Sequence, residues 1–86
     1  MNEHMTVAEL FYCLIQDIED YTMTHDNCES LDIIIEDLGN IKTIWDTGEI
    51  LSESNIKQLE DICEHFDKFK YYQFAEDLNV ILERVR

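Results

Sequence analysis

Proline is absent from the 86-residue sequence, and only two glycines occur in it. These residues shape most tight turns and hairpin loops, so a chain with so few of them has little material for β-hairpins or long irregular loops. Hydrophobic residues make up 45% of the chain, which is typical of a globular domain and not of an acidic disordered tail. The sequence therefore predicts a small all-α domain with short connections.

Lys and Arg are absent from residues 1–41, a segment that holds ten Asp and Glu side chains. Eight of those carboxylates lie within residues 17–37, and the first Lys or Arg of the chain is Lys42. The formal net charge of −14 argues against direct binding of DNA, RNA or an anionic membrane, because phosphate contacts depend on Lys and Arg. Carboxylates at helical spacing repel one another, so we interpret their presence as a docking surface for a basic protein.

A cysteine pair with the CxxC spacing is also missing, and the three cysteines are an odd number. Cys28 and Cys63 fall within apolar helical patterns, so free, buried thiols are expected for the set, which includes Cys13. Free thiols are typical of a reducing compartment. No hydrophobic run approaches the roughly 20 residues of a membrane-spanning helix, and the first residues are acidic where a secretion signal is basic. A cytoplasmic protein is therefore expected.

Hydrophobic residues recur at intervals of three and four along the chain, which is the period of amphipathic helices. The pattern predicts one acidic domain over residues 1–86, with the architecture of a small antiparallel four-helix domain. The predicted helices lie near residues 6–21, 27–46, 53–67 and 70–85. The apolar stripe of the second helix keeps its phase through Gly39-Asn40, so one irregular helix is predicted there.

Capping residues mark the predicted helix ends. Thr6 and Glu9 have the spacing of a capping box, in which the hydroxyl and the carboxylate each accept a hydrogen bond from a free backbone N–H group. Gly48 follows the second helix as its predicted C-terminal cap. The N-cap candidates are Thr6 for the first helix, Asp26 or Asn27 for the second, and Ser52 or Ser54 for the third.

The connection between the third and fourth helices has two interpretations. Residues 67–72 contain neither glycine nor proline, and the apolar stripes on both sides keep one phase. One continuous helix of about thirty residues would imply a dimer, because so long a helix cannot bury its apolar face alone. A bend near Lys68 to Lys70 would instead give a four-helix domain with short loops. The bend is the preferred prediction, and the choice between monomer and homodimer stays open.

Motifs for catalysis and for metal or cofactor binding are absent from the sequence. It has no Gly-rich phosphate loop, no HExxH pair and no Ser or Cys beside a His and an acid. Cys63 and His65 stand two residues apart, and a helix directs the side chains of such residues to different sides. A core cysteine and a surface histidine are therefore expected. Residues 26–37 are acidic at both ends, but Leu31 stands where an EF-hand loop needs glycine. We therefore predict a protein that is not an enzyme and has no catalytic residues, metal or cofactor.

The predicted partner-binding site is the acidic surface of the first two helices. Glu29, Asp32 and Glu36 lie at i, i+3 and i+7 of the second helix, so they share one outward ridge opposite the apolar stripe. Asp17 and Asp20 fall in the last turn of the predicted first helix, near the negative end of its dipole, where cations are preferred. Such violations of helix design cluster at functional sites. The predicted carboxylates are Asp17, Asp20, Glu29, Asp32, Glu36 and Asp37.

Two tyrosines complete the predicted site. Tyr21 stands at the end of the first helix, and Tyr72 lies beside the apolar stripe of the fourth. Tyrosine and tryptophan dominate interface energies when polar groups surround them, although most aromatic side chains of so small a domain belong to its core. We predict Tyr21 and Tyr72 as anchors of the interface.

In size, acidity and helical build the chain resembles the small immunity proteins that neutralise bacterial nuclease toxins. Tyr71-Tyr72 is similar to the tyrosine pair of the colicin DNase immunity family. That family's motif continues into proline, whereas Gln73-Phe74 follows here, and here the pair opens the final helix. The resemblance is one of type and covers no alignable segment. It implies a cytoplasmic inhibitor that binds a basic enzyme.

The leading hypothesis is a small acidic protein inhibitor that binds and neutralises a basic enzyme, as an immunity protein against a nuclease toxin does. The expected partner is thus a basic protein, with no direct binding of nucleic acid or membrane. One alternative is a nucleic-acid mimic of the anti-restriction or anti-CRISPR type. The other is a dimeric helical adaptor that associates through its third and fourth helices.

Overall fold

Four helices account for most of the chain in a computed structural model that describes residues 5–25, 29–48 and 50–86. They are α1 (Val7–Thr24), α2 (Glu29–Asp46), α3 (Glu53–Lys68) and α4 (Tyr72–Val85). The described residues contain no strand. Short connections join α1 to α2 and α3 to α4, and each pair packs together as a helical hairpin. The predicted all-α, antiparallel four-helix architecture is confirmed.

Helix α1 is central to the packing. It contacts α2 on one side and α4 on the other, and α3 packs mainly on α4 with a weaker contact to α2. The apolar stripes of the four helices meet in one core, in which Phe11 and Phe66 are the largest fully buried side chains. The contact between α1 and α4 therefore joins the two hairpins. The surface along this contact is built from both halves of the chain.

Side-chain caps set the starts of α1 and α3. The Thr6 hydroxyl accepts a hydrogen bond from the Glu9 N–H group at 3.2 Å, and the Glu9 carboxylate accepts one from the Thr6 N–H group at 3.2 Å. At the start of α3, the Ser52 hydroxyl accepts from the Asn55 N–H group at 3.2 Å. The capping box and the first of the two serine candidates are confirmed. The caps predicted for α2 at residues 26–27 lie outside the described residues.

Helix α1 ends three residues later than predicted, at Thr24, because the threonines after Tyr21 continue it. The Thr22 hydroxyl donates to the Glu19 carbonyl oxygen at 2.8 Å, and the Thr24 hydroxyl donates to the Tyr21 carbonyl oxygen at 3.1 Å. Through these bonds the threonine hydroxyls are satisfied within the helix. The segment after Tyr21 was predicted to be a turn. The placement of Asp17 and Asp20 in the last turn was therefore wrong. The dipole effect is confined to that turn, so it does not act on them.

Helix α2 runs unbroken through Gly39-Asn40 and ends at Asp46, as predicted. Gly48 then adopts a φ of +85°, which glycine reaches without steric cost. Its N–H group donates to the carbonyl oxygen of Trp45 at 3.0 Å. The predicted C-terminal cap of α2 is confirmed.

The connection between α3 and α4 is a sharp reversal centred on Lys70. The Tyr71 N–H group donates to the Phe66 carbonyl oxygen at 2.7 Å, and the Lys70 N–H group donates to that of Asp67 at 3.2 Å. This pair of bonds is the Schellman motif, and the rings of Phe66 and Tyr71, 6.3 Å apart, supply its apolar contact. The continuous-helix alternative is therefore wrong, and with it the reason for predicting a dimeric adaptor. The motif places Lys70 at a φ of +65°, where glycine is the usual residue.

Lys70→Gly should give a more stable protein than Lys70→Ala. Both changes remove the ammonium group, but an L-residue in the left-handed region costs roughly 1–2 kcal/mol that glycine does not. The greater freedom of glycine in the unfolded chain offsets about 0.5–1 kcal/mol of that difference. We therefore expect the free energy of unfolding in urea to be about 0.5–1 kcal/mol higher for Lys70→Gly than for Lys70→Ala. Equal free energies of unfolding would contradict the left-handed reversal.

The burial of Cys13 and His65 differs from the prediction, whereas that of Cys63 agrees with it. Cys63 is buried as predicted, and its thiol donates to the Asn79 side-chain oxygen at 3.5 Å. Burial raises the pKa of that thiol. Cys13 is exposed instead, because it lies beside the buried stripe of α1 rather than in it, and Cys28 lies outside the described residues. His65 is half-buried rather than on the surface, because its ring packs 4.5 Å from that of Phe69.

Candidate protein-docking surface

The outward ridge of α2 is exposed along its length. Glu29, Asp32 and Glu36 are all exposed, whereas the buried residues of the helix lie on its opposite side. With a rise of 1.5 Å per residue, the ridge extends about 10 Å along the helix axis. Asp37 is half-buried and lies about 100° around the helix from Glu36. The structure thus gathers three of the four predicted α2 carboxylates on one line and separates Asp37 from them.

Within the described residues, no ion pair involves a predicted carboxylate. Two ion pairs join described residues, one between Lys42 and Asp46 at 2.7 Å and one between Arg86 and Glu60 at 2.6 Å. Neither pair includes one of the six predicted carboxylates. Five of those six side chains are exposed, all except Asp37. The acidic surface of α1 and α2 is thus exposed and, among the described residues, unpaired with Lys or Arg.

The predicted residues of α1 form a second group, of which Tyr21 packs against residues at the start of α4. Asp17, Asp20 and Tyr21 stand at i, i+3 and i+4, so they share one side of the helix. The ring of Tyr21 lies 5.4 Å from that of Tyr71 and 5.9 Å from that of Phe74, both near the start of α4. We call the surface along this contact the α1–α4 groove. It is defined by Asp17, Tyr21, Tyr72, Gln73 and Asp77, whereas Asp20 is exposed on α1 one residue before Tyr21.

The two predicted anchors meet in this groove. Tyr21 and Tyr72 line one open cavity of about 270 Å³, whose other lining residues are Lys70, Tyr71, Gln73 and Phe74. The side chain of Tyr72 is 62% exposed, whereas Tyr21 is half-buried. The sequence placed these tyrosines on different helices and did not indicate that they share a cavity. Their proximity follows from the packing of α1 on α4.

A cluster of packed aromatic rings supports the tyrosine cavity. The His25 ring stacks on Tyr21 with centroids 3.9 Å apart, and Phe66 packs 5.6 Å from Phe74 beneath it. Ring pairs at these distances contribute roughly 0.5–1.5 kcal/mol each beyond their burial. The cavity therefore has a well-packed floor. Tyr72 extends from its rim toward solvent.

Asp77 is the residue that sequence reasoning missed. It is half-buried on α4, and the Gln73 side-chain amide donates to its carboxylate at 3.3 Å. Partial burial raises the pKa of Asp77, the hydrogen bond from Gln73 opposes the rise, and the nearby charges of Asp17 and Glu76 add to it. Asp17 of the predicted site thus faces a second carboxylate across the groove. Only the packing of the helices could reveal this, because periodicity does not specify which helices are neighbours.

Asp77→Asn should stabilise the protein at neutral pH. Because the folded-state pKa of Asp77 is raised, the folded protein holds this proton more tightly than the unfolded chain does. The stabilisation that protonated Asp77 gives the folded protein is complete below the ordinary pKa of an aspartate. It is lost as the pH rises through the raised folded-state pKa. In urea unfolding, the variant should therefore have a higher free energy of unfolding than the wild type near pH 7. This difference should shrink as the pH falls toward about 3.5. A difference in the free energy of unfolding that does not depend on pH would contradict the raised pKa of Asp77. The exposed Asp61, changed to Asn, is the control.

Two further kinds of feature are absent from the described residues. In the described part of the chain, no three His, Cys, Asp or Glu side chains lie where they could hold a metal ion together. Among the same residues, no helix is both long and apolar enough to cross a lipid bilayer.

Comparison with known proteins gives no assignment to these surfaces. The sequence matches no protein-family model, no curated protein and no solved structure. Function is therefore inferred from the charge, exposure and packing of the chain's own side chains.

Proposed function

We propose that this protein binds and neutralises a basic enzyme in the cytoplasm, as an immunity protein against a nuclease toxin. One observation carries the proposal. Five predicted carboxylates are exposed and belong to no ion pair between described residues, and a cavity of the same molecule is lined by both predicted tyrosine anchors. This combination suits a partner with a positive surface.

The two surfaces have different physical roles in the proposal. The ridge of Glu29, Asp32 and Glu36 attracts the partner over a distance, which raises the association rate most at low salt. The α1–α4 groove provides short-range contacts once the proteins meet. Tyr72 supplies apolar area with a polar tip, the kind of side chain that stabilises the centre of an interface when it becomes buried.

Inhibition follows from what a nuclease must present to its substrate. Its active site binds phosphates and therefore carries Lys, Arg or bound cations. A carboxylate surface docked on or beside that site repels nucleic acid and covers the positive groups that hold it. An inhibitor of this kind needs no catalytic residue of its own.

Affinity capture followed by an activity assay tests the proposal. The protein, immobilised at low salt, should retain a basic protein from its native source, and a salt step should release it for identification by mass spectrometry. The released protein should cleave DNA or RNA, and one equivalent of this protein should abolish that activity. A captured protein that has no nuclease activity, or whose activity is unaffected, would exclude the immunity role.

Nucleic-acid mimicry is the second candidate, because the α2 ridge sets three carboxylates on one outward line about 10 Å long. A mimic takes the place of nucleic acid on its target. A competition assay separates the two functions: a mimic displaces a labelled oligonucleotide from the target, whereas an inhibitor docked beside the active site leaves it bound. The assay uses the same captured partner.

A further inference from the structure

We propose that the α1–α4 groove receives an arginine side chain of the basic partner. The apolar stem of this arginine lies in a small cavity beside Asp77, and its guanidinium lies between Asp77 and Asp17. The inference rests on the proposed function in that the occupant belongs to a protein partner. It adds which chemical group of that partner is recognised and where.

The cavity combines apolar walls with a single carboxylate. Its volume is about 90 Å³, and its lining residues are Met5, Leu10, Cys13, Leu14 and Asp77. Asp77 is half-buried, and it is the one acidic side chain of this set. A long cationic side chain has the complementary form, because its methylene stem covers apolar surface while its charged end stays near a carboxylate.

A second carboxylate completes the cation site. Asp17 lies one helical turn after Cys13, on the side of α1 that lines the cavity. The charge of Asp17 is close enough to disfavour ionisation of Asp77, and Glu76 adds to this repulsion. Neither Asp17 nor Asp77 belongs to an ion pair between described residues. A cation placed between them would replace repulsion with attraction on both sides.

A guanidinium suits this site better than an ammonium. Arginine presents five N–H donors in one plane, so it can bind two carboxylates on neighbouring helices at once. The lysine ammonium is a compact and strongly hydrated charge that loses more on entering a partly buried site. A second copy of the chain does not supply the occupant, since two molecules of net charge −14 repel each other and both arginines are engaged, Arg86 with Glu60 and Arg84 with the Met5 carbonyl oxygen at 2.6 Å.

One hydrogen bond links the arginine site to the tyrosine cavity. Gln73 lines the tyrosine cavity and donates at 3.3 Å to the carboxylate of Asp77, which lines the smaller cavity. A partner segment lying along the groove would therefore contact the tyrosines and the carboxylates together. The groove has the charge and the shape for a basic surface loop.

The probe for this proposal is a short capped peptide, acetyl-Gly-Arg-Gly-amide, titrated into isotope-labelled protein by amide NMR. We expect saturable shifts at Cys13, Leu14 and Asp77. The citrulline peptide, which has the same shape without the charge, and the lysine peptide should each bind about tenfold or more weakly. Asp17→Asn and Asp77→Asn should each weaken arginine binding by about tenfold. Asp61→Asn, the same charge change on the exposed face of α3, should alter it by less than about twofold.

Three results would overturn the proposal. They are equal affinity for the arginine and citrulline peptides, equal affinity for arginine and lysine, and an effect of Asp61→Asn as large as that of Asp77→Asn. Unchanged folding of each variant is read from the dispersion of its own amide spectrum. The titration involves no partner protein, so the arginine site can fail while nuclease inhibition succeeds, and the reverse outcome is equally visible.

Discussion

Changing both Asp32 and Glu36 to lysine slows association with the basic partner by about tenfold or more at low salt. Both side chains are exposed on the α2 ridge, and neither is in an ion pair between described residues. The double change therefore reverses the local field without removing a stabilising contact. Stopped-flow or surface-binding kinetics with the captured partner give the association rate.

The matched control changes Asp61 and Glu64 to lysine. These residues are exposed on α3, so the change in net charge is the same but its place on the molecule differs. Both variants are therefore also measured in about 0.1 M salt, where a distant charge is screened within roughly 10 Å, and there we expect the control to change the association rate by less than about threefold. If the control slowed association as much as the ridge variant, net charge rather than the ridge would attract the partner.

Tyr72→Ala is expected to weaken the complex by about thirtyfold, which corresponds to roughly 2 kcal/mol. Tyr72 is 62% exposed in the free protein, so its ring is available to the partner and contributes little to the core. The loss should occur mainly in the dissociation rate, because short-range contacts determine how long a complex lasts. The free energy of unfolding should change by less than about 0.5 kcal/mol.

Tyr12 is the natural control for this variant. Its side chain is 60% exposed, nearly the same as that of Tyr72, but it lines a different cavity with Lys42. Tyr12→Ala should leave the affinity within about twofold of wild type. Calorimetric affinities in which the two variants are equally weakened would show that the tyrosine cavity is not the anchor.

The helices and most of their ends could be predicted because the signals for them are local. Thr6 and Glu9 cap α1 through bonds within one turn, and Gly48 ends α2 because it adopts positive φ. The apolar stripes identified the residues of the core, such as Phe11 and Phe66. Such features need only the residue types and their spacing.

The reversal at Lys70 was harder to predict because its residue types give the wrong signal. Glycine is the usual residue at a left-handed helix end, and lysine stands there instead. What stabilises the reversal is the pair of Schellman hydrogen bonds and the contact of Tyr71 with Phe66. The apolar stripes remain in phase across it, so periodicity alone could not separate one helix from two.

The α1–α4 groove could be predicted only in part. Tyr21 and Tyr72 were predicted from residue type, but their shared cavity depends on which helices pack together. Asp77 was missed for the same reason, because its importance comes from Asp17 across the groove rather than from a neighbour in sequence. Asp37 was predicted with the other carboxylates, yet its rotation about α2 leaves it half-buried.

The dependence of the association rate on ionic strength tests most directly whether the acidic surface serves a cationic partner. The measurement uses the wild-type protein and its captured partner, with salt raised from about 20 mM to about 0.5 M, a range over which screening lengths fall severalfold. We expect the rate to fall by about tenfold or more across this range, while the dissociation rate changes little. An association rate that stays constant across the same range would contradict the account.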